Sequence, residues 1–376
     1  MELDAQDVAA LLAEVETFSL QRVMAASERP EIILTDQLLG ALSDEAAGLG
    51  LIPGTDGPSG LALWENCGQQ EGMAFNIGLL TQVAYANAGI AFAWHRAALA
   101  RAVTGALQHQ VRLGSVLGMT MLSTGHYGLA QSALGRLLAQ QATPEDESVL
   151  ADWLDHDSHR CVLFAAESWE TLVWPIWQAG RIGWQVLARD QLIVQACAAQ
   201  HGLDELRGYL VGLKSRKDVA SGLLAAPATA LYERFLKLDM MGLLAIAVGA
   251  GQRSATYAKQ YAGIRRQGGK FIAQHPAVQQ MLGEIEMALG QAKAMLQQLA
   301  RPVDELSLGA VAGVRGLAQA SLCQAANQSV QVHGGIGYMR DAGPEKIVRT
   351  QNMLRLQAGG LREVPLLLAA LQGGQA

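Results

Sequence analysis

The apolar residues of this chain change their period twice, and this pattern limits its fold more than any other feature. Through about residue 110 they recur at helical spacing, most clearly over Gly78–Trp94. Between about Leu113 and Ala226 the apolar runs are short and partly alternating, with turn residues between them, as in strands. From about Ala228 the helical period returns in long pieces. The pattern predicts a mainly α protein with a small middle β domain.

Individual segments follow from the same pattern. The predicted strands are Arg160–Ala166, Thr171–Ile176, Gly183–Ala188, Gln191–Ala196 and Tyr209–Leu213. The predicted later helices are Leu231–Gly263, Pro276–Ala300, Val303–Val332, Pro344–Leu356 and Leu361–Leu371. Helices of this length joined by short loops suggest an antiparallel bundle, and Pro276 and Pro344 suit first-turn positions. The predicted domains are 1–112 (helical), 113–226 (β) and 227–376 (helical bundle).

Length and composition agree with a compact protein of more than one domain. Of the 376 residues, 50% are apolar and only 16% are charged, so there are enough apolar side chains to form a buried core. The net charge of −6 and the scattered basic residues give no footprint for nucleic acid. The N-terminus is acidic, and no apolar run is expected to reach the ~18 residues that span a bilayer. We therefore expect a cytoplasmic protein without a membrane span.

Cysteines and ligand-type clusters predict no metal site. Cys67, Cys161, Cys197 and Cys323 are far apart in sequence and share no metal-binding spacing, so we expect buried thiols. One cluster of acidic residues and histidines has the composition of a metal site but falls in a predicted surface turn. Its members are Asp155, His156, Asp157 and His159.

A glycine-rich loop joins two of the predicted helices. The run Gln331-Val332-His333-Gly334-Gly335-Ile336-Gly337-Tyr338 would leave backbone N–H groups bare for a phosphate, and a helix N-terminus favours its charge. A plain helix C-cap and turn is the alternative. His333 in this loop has no partner at metal-binding spacing, so we expect it to pack or form hydrogen bonds. Arg265 offers a fork of donors that suits a phosphate, or else a charge that pairs with a helix end.

The order and spacing of several segments resemble the acyl-CoA dehydrogenase family. The resemblance is nearly gapless from about Leu238 to Gly360 and rests on Tyr261–Phe271, Gln274–Gln279, Gln331–Tyr338 and Pro344–Arg349. It implies the family's fold, with an N-terminal helical domain, a β domain and a C-terminal four-helix bundle. It also implies an FAD-dependent oxidoreductase of fatty acid metabolism that acts on acyl-CoA or another acyl thioester. Electron-transferring flavoprotein would be a partner, and the assembly would be a homo- or hetero-tetramer, a dimer of dimers.

The resemblance implies roles for individual residues. Arg265 would contact the pyrophosphate of FAD. Ser123 and Thr124, in the nearest counterpart of a middle-domain motif, would donate to the isoalloxazine. Gly268 replaces an aromatic residue that helps to wall the cofactor in the family. The adenosine end of a flavin bound in a neighbouring subunit would be contacted by Gln331, Gly334, Gly335 and Gly337.

The base that most members of the family use is missing from its expected place. In the family a carboxylate held in an apolar pocket removes a proton next to the thioester, and hydride passes from the next carbon to the flavin. A gapless count puts Ala358 where the usual glutamate stands, and Gly360 where a threonine helps to hold the flavin. A minority of members place the base on an earlier helix, at a position that falls on Asp239. We predict Asp239 as the catalytic base; the alternative is an N-cap for a helix over Met240–Gly251.

Three functions remain open at this point. The first is an FAD-dependent acyl-CoA dehydrogenase that performs α,β-desaturation with Asp239 or with another, unrecognised acid. The second is a non-catalytic or half-site subunit that pairs with a homologous chain carrying the missing glutamate. The third is a flavin-free binding scaffold of the same fold. Arg265 and the glycine loop favour the first two, whereas Ala358 and Gly268 favour the last two.

Overall fold

The computed structural model describes most of the chain. Its residues are 3–29, 32, 34–54, 61–108, 116–117, 129–154, 161–178, 180–214, 228–360 and 362–372. The first part is helical. Its helices are α1 (Ala5–Phe18), continued by a π-helical turn over Ser19–Met24, α2 (Asp36–Gly48), α3 (Gln70–Ala86) and α4 (Ala88–Ala106).

The stretch predicted as one helical run over Gly78–Trp94 is two helices. Asn87 has an extended backbone and its side chain accepts from the N–H of Ile90, so it ends α3 and caps α4. Asparagine favours such a cap because its side chain satisfies an N–H that the first helical turn leaves open. The prediction of continuous helix was wrong at this residue, although both sides are helical and apolar.

The middle region consists of two three-stranded sheets. The first has the order β1-β3-β4 and the second the order β2-β6-β5. The strands are β1 (Val116–Leu117), β2 (Cys161–Ala165), β3 (Thr171–Gln178), β4 (Arg181–Ala188), β5 (Leu192–Ala196) and β6 (Arg207–Leu213). All five predicted strands are confirmed. Two helices that were not predicted also lie here, α5 (Leu129–Leu138) and α6 (Pro144–Trp153).

The last region is the predicted helical bundle. It consists of α7 (Ala228–Ile264), the β7–β8 hairpin (Arg266–Gln267 and Lys270–Phe271), α8 (Pro276–Gln297), α9 (Leu308–His333), α10 (Pro344–Leu354) and α11 (Glu363–Gln372). Pro276 and Pro344 stand in the first turns of α8 and α10, as predicted. α9 begins later than predicted, because Ser307 caps it by accepting from the N–H of Ala310.

α7 is the central helix of the molecule. It packs against α3 and α4 on one side and against α8 and α9 on the other. By length and composition Thr229–Ile264 could cross a membrane, which the sequence analysis did not expect, but 94% of its apolar window is buried inside the protein. This is the environment of a core helix. The architecture confirms the predicted fold class, mainly α with a small β region.

Candidate functional site

Asp239 lies inside the core rather than at a helix end. α7 begins at Ala228, so the interpretation of Asp239 as an N-cap is wrong. The carboxylate is fully buried. Nε2 of His95 lies 3.0 Å from Oδ1, and Nη1 of Arg96 lies 3.2 Å from Oδ2. An unpaired carboxylate would be costly to bury, so these two partners from α4 explain why the core tolerates it.

The hydrogen bonds of His95 determine which ring nitrogen carries the proton. The indole N–H of Trp64 donates to Nδ1 of His95 over 3.1 Å, so Nε2 carries the proton and donates to Asp239. Burial lowers the pKa of His95, against the opposing effect of Asp239, and the ring is neutral at pH 7. Gly242, one turn after Asp239, makes room for the ring, since a Cβ there would lie 2.2 Å from Cε1 of His95.

The position expected for the usual base of the family is apolar and enclosed. Ala358 is fully buried and has a φ of 50°. Arg315 of α9 donates to the backbone oxygens of Leu354, Gln357 and Gly359, over 3.0 Å to the first and 2.7 Å to the last. Burial lowers the pKa of Arg315 to about 10, so its guanidinium remains charged at neutral pH. A buried cation therefore fixes the backbone of this segment.

Arg96 connects Asp239 with the segment that contains Ala358, the two positions considered for the catalytic base. Its Nη1 pairs with Asp239, and its Nη2 donates to Oε1 of Gln357 over 3.4 Å. The side chain is only 3% exposed, so the guanidinium lies between α7 and the segment that contains Ala358. Both oxygens of Asp239 thus face a nitrogen from α4. For Asp239 to accept a proton from a substrate, Arg96 would have to move.

Arg265 and the glycine loop, both predicted to bind the cofactor, lie around the opposite end of α7, about 40 Å along the helix from Asp239. The ring of Tyr261 stacks on that of His333, with centroids 4.5 Å apart and an angle of 21° between the planes. This contact joins the end of α7 to the glycine loop after α9. His333 is buried, and its Nδ1 lies 2.7 Å from the oxygen of Ser329, so the predicted packing role is confirmed.

Arg265 stands directly after α7 and is exposed. Its backbone N–H donates to the oxygen of Tyr261. Its guanidinium makes no hydrogen bond or ion pair with any residue that the structure describes. The neighbouring Arg266 differs, because its side chain lies over the Phe271 ring at 4.6 Å and donates to the oxygen of Gly269. Arg265 therefore offers an unpaired cation at this end of the bundle.

The glycine loop is a helix cap with an open face. Gly334 ends α9 with a φ of 61°, as the C-cap alternative expected. Gly334 and Gly335 are exposed, and nothing lies within 4 Å of a Cβ added to either. Gly337 is buried, and a Cβ there would lie 2.5 Å from the oxygen of Val330. Gln331 is exposed and donates to the hydroxyl of Tyr338 over 2.9 Å. The loop can therefore be approached closely by a ligand.

The β7–β8 hairpin explains the glycine that replaces the family's aromatic residue. Gly268 and Gly269 have φ values of 57° and 82° and form a two-residue turn between paired strands. Such a turn requires positive φ at both positions, which glycine adopts without strain.

Several sequence predictions fall outside the described residues. Ser123 and Thr124 lie in the stretch 118–128, and the cluster of Asp155, His156, Asp157 and His159 lies in the stretch 155–160. Cys67 and Cys323 are buried, and burial raises the pKa of both thiols. The prediction was wrong for Cys197, which is exposed. This residue directly follows β5, an edge strand, where the chain leaves the sheet.

Sequence reasoning missed the partners of Asp239. His95 and Arg96 are adjacent polar residues in an otherwise apolar stretch of α4, and this was the signal that could have identified them. Arg315 is a similar case in α9, with small and apolar neighbours. A charge in such a stretch must find a partner when the helix is buried, but the sequence does not say which.

The comparisons with known proteins agree with this architecture. Residues 230–370 match the model of the acyl-CoA dehydrogenase C-terminal domain. The probable acyl-CoA dehydrogenase YngJ of Bacillus subtilis (strain 168) is 29% identical over 161 residues, and the match spans 41% of each chain. The chain thus spans about two-fifths of the length of this curated relative.

Solved structures extend the likeness to the whole chain. The prolyl acyl carrier protein oxidase AnaB has a TM-score of 0.71 at 15% identity, covering 99% of this chain and 100% of that one. Butyryl-CoA dehydrogenase from Megasphaera elsdenii has a TM-score of 0.70 at 11% identity, with both chains fully covered. The protein therefore has the acyl-CoA dehydrogenase fold. Within this fold, residues 230–370 match the family's C-terminal domain.

Proposed function

We propose that this chain is the half-site subunit of an FAD-dependent oxidoreductase of the acyl-CoA dehydrogenase type. The observation that carries the proposal is the contrast between the two ends of α7. At one end, Arg265 has no side-chain partner among the described residues, and the stack of Tyr261 on His333 brings the open glycine loop to the same end of the helix. At the other, Ala358 has no ionisable group and Asp239 is engaged by His95 and Arg96. The chain can offer a surface for a cofactor while lacking an available base.

The residues at the exposed end fit the phosphate and adenosine portion of FAD. A free guanidinium binds a pyrophosphate through parallel N–H donors, and glycines allow its close approach. Arg265 would pair with the pyrophosphate. The adenosine side would lie against Gln331, Gly334, Gly335 and Gly337. When bound, the flavin would supply the two-electron acceptor for α,β-desaturation of an acyl thioester.

The missing base requires a second chain in this proposal. A homologous subunit with the usual glutamate would remove the proton next to the thioester, and this chain would complete its flavin site. Hence we propose a hetero-tetramer, a dimer of dimers, with acyl-CoA or an acyl carrier protein thioester as the substrate. Electron-transferring flavoprotein as the acceptor, a role in fatty acid metabolism and a cytoplasmic location belong to the same proposal.

One observation favours a second candidate, in which the chain is active alone. Asp239 lies near the segment that contains Ala358, linked to it through Arg96 and Gln357. A movement of Arg96 on substrate binding would free one oxygen of Asp239, which could then act as the base. Asp239→Asn would abolish turnover in that case, and it would leave turnover unchanged if the partner supplies the base.

The test compares flavin retention by the chain alone and in a complex. The chain is purified alone and after co-expression with a homologous acyl-CoA dehydrogenase that carries the glutamate, and the visible absorption of the flavin is recorded. We expect flavin that bleaches with acyl-CoA in the complex and no bleaching by the chain alone. Bleaching by the chain alone would support Asp239 as the base. A colourless chain that forms no complex would contradict both the half-site subunit and the independently active enzyme, and would leave the scaffold function.

A pair of adjacent arginines provides the matched control. Arg265→Gln should release flavin from the complex, because the pyrophosphate loses its cation. Arg266→Gln should leave flavin content unchanged, because that guanidinium is already engaged with Phe271 and Gly269. Equal flavin content in the complexes of the unmodified chain, Arg265→Gln and Arg266→Gln would exclude Arg265 from the cofactor site.

A further inference from the structure

A groove of about 640 Å³ lies between α1, α3, α7 and α8, outside the site described above. Its α7 residues are Val248 and Gln252, about two and a half and three and a half turns after Asp239. At about 100° per residue they point away from Asp239, about 180° and 220° around the helix. None of the described residues that line the groove belongs to α4, to the hairpin after α7 or to the glycine loop. The groove is therefore separate from the buried carboxylate and from the proposed cofactor surface.

α1 and α3 run in the same direction along this groove. Leu12 of α1 faces Gly78 of α3, where an added Cβ would lie 2.6 Å from the Leu12 side chain. Further along both segments, the sulfur of Met24 and the ring of Tyr85 contact the same arginine of α7, Arg253, over 3.4 Å and 5.4 Å. Residues that lie beyond Leu12 in the first segment and beyond Gly78 in the second therefore meet at one end of the groove.

Two buried polar atoms at that end have no hydrogen-bond partner among the described residues. They are the hydroxyl oxygen of Ser19, a residue only 2% exposed, and Oε1 of Gln82, and both residues line the groove. Ser19 begins the π-helical turn, where a helix is wider than an α-helix. The hydroxyls of Thr17 and Ser27, in the same helical stretch, each donate to the backbone oxygen four residues earlier, which Ser19 does not. An unpaired buried polar group costs free energy, which a ligand that supplies the hydrogen bond would recover.

The rest of the groove is mainly apolar, with one charge of each sign at its rim. The apolar side chains include Val8, Leu12, Ile77, Val248 and Leu296. Glu16 of α1 and Lys293 of α8 are exposed, and neither forms an ion pair with a described residue, so the rim offers no net attraction for an ion. Apolar burial would favour the body of a ligand. A hydroxyl on it would suit both unpaired atoms, because a hydroxyl donates and accepts, whereas a carboxylate cannot donate to Oε1 of Gln82.

We propose that this groove binds a neutral alcohol or phenol, with its hydroxyl between Ser19 and Gln82 and its apolar body along α1 toward Leu12. The ligand hydroxyl would donate to Oε1 of Gln82 and accept from the hydroxyl of Ser19. The site depends neither on FAD nor on Asp239, so it is expected even if the proposed function fails, and its test needs no catalytic turnover.

Three aromatic compounds of similar size test the proposal, namely para-fluorophenol, para-fluorotoluene and para-fluorobenzoate. Each is titrated into the full chain, and binding is followed by fluorine NMR. We expect the phenol to bind about 3- to 10-fold more tightly than the toluene, the range of one net hydrogen bond. The benzoate should bind more weakly than the phenol, because it has no proton to donate and its charge would lose water. Equal or tighter binding of the toluene or the benzoate, or no binding of the phenol, would overturn the proposal.

Two serine variants locate the site. In Ser19→Ala the preference for the phenol over the toluene should fall by at least about threefold, because one partner of the ligand hydroxyl is gone. Its melting temperature should stay equal or rise, because the lost hydroxyl was unpaired and alanine favours a helix. Ser27→Ala is the matched control and should keep the preference, since its hydroxyl already donates to the oxygen of Val23 and lies outside the groove. An unchanged preference in Ser19→Ala, a lower melting temperature of that variant, or an equal loss of preference in both variants would overturn the assignment.

Discussion

The absence of a side chain at Gly242 makes room for the buried network around Asp239. A Cβ on Gly242 would lie within 3 Å of three atoms of the His95 ring. That ring cannot easily retreat, since it is held by hydrogen bonds on both sides and is fully buried. We therefore predict that Gly242→Ala destabilises the protein by about 1–3 kcal/mol, the usual cost of overpacking a core. The free energy of unfolding, from a denaturant titration, measures this.

A second helical glycine gives the control for this prediction. Gly290 is exposed in α8, and nothing lies within 4 Å of a Cβ added there. Gly290→Ala should stabilise the protein by about 0.5–1 kcal/mol, because alanine favours a helix over glycine. If Gly242→Ala were stabilising to the same extent, the close contact between α7 and His95 would not exist in solution.

At the scale of elements, the sequence predicted what depends on local period and missed what depends on packing. The five strands and the long later helices were predicted because runs such as Gly183–Ala188 and Leu231–Gly263 show their period locally. The division at Asn87 was missed because apolar spacing continues across a cap. α5 and α6 were missed because short helices lie among strand-like runs.

The same distinction between local sequence pattern and tertiary packing applies to the candidate site. The residues predicted for the cofactor come from contiguous motifs, and the stack of Tyr261 on His333 brings two of these motifs together. The surroundings of Asp239 could not be predicted, because His95 and Trp64 are remote in sequence and meet it only through the packing of α4 on α7. Contacts of this kind depend on tertiary structure and leave no local pattern.

Arg315 supports a prediction about the segment between α10 and α11. It is the donor for three backbone oxygens there, those of Leu354, Gln357 and Gly359. Arg315→Met would leave the oxygens of Gln357 and Gly359 without this donor, whereas that of Leu354 still accepts from the N–H of Gln357. We expect the free energy of unfolding to fall by about 2–6 kcal/mol, since each unsatisfied buried group costs about 1–3 kcal/mol. We expect amide hydrogen exchange in residues 354–360 to be faster in Arg315→Met than in the unmodified protein, with a smaller change in α9, as measured by mass spectrometry.

An exposed arginine provides the comparison for Arg315. Arg301 pairs with Glu305 on the surface at 3.0 Å, and both side chains are more than half exposed. Arg301→Met should change the free energy of unfolding by less than about 1 kcal/mol, because water screens such pairs. Unaltered exchange in residues 354–360 of Arg315→Met would show that the segment is held by other contacts.

At the scale of the whole molecule, α7 separates a closed core from an open surface. Around Asp239 the polar groups are buried, and the carboxylate lies against His95 and Arg96 of α4. Around Arg265 the surface carries large apolar residues that a protein usually covers. Ile264 is 75% exposed and Met339 is 52% exposed, and Ile336 and Tyr338 of the glycine loop are exposed as well. Because these residues flank the proposed cofactor surface, the partner that covers them should be the homologous subunit that completes the flavin site.

The last prediction tests this assembly directly. Ile264→Glu replaces an exposed apolar side chain beside Arg265 with a charged one. It should lower the amount of homologous acyl-CoA dehydrogenase chain that co-purifies by at least about tenfold, since burying a charged side chain in an apolar interface costs more than about 1.4 kcal/mol. Met287→Glu is the control, because Met287 is equally exposed, at 76%, but lies about three turns along α8 from its first residue. Size-exclusion chromatography of the co-expressed chains measures both. An intact complex with Ile264→Glu, or equal loss with Met287→Glu, would place the contact elsewhere and remove the support that the exposed end gives to a shared flavin site.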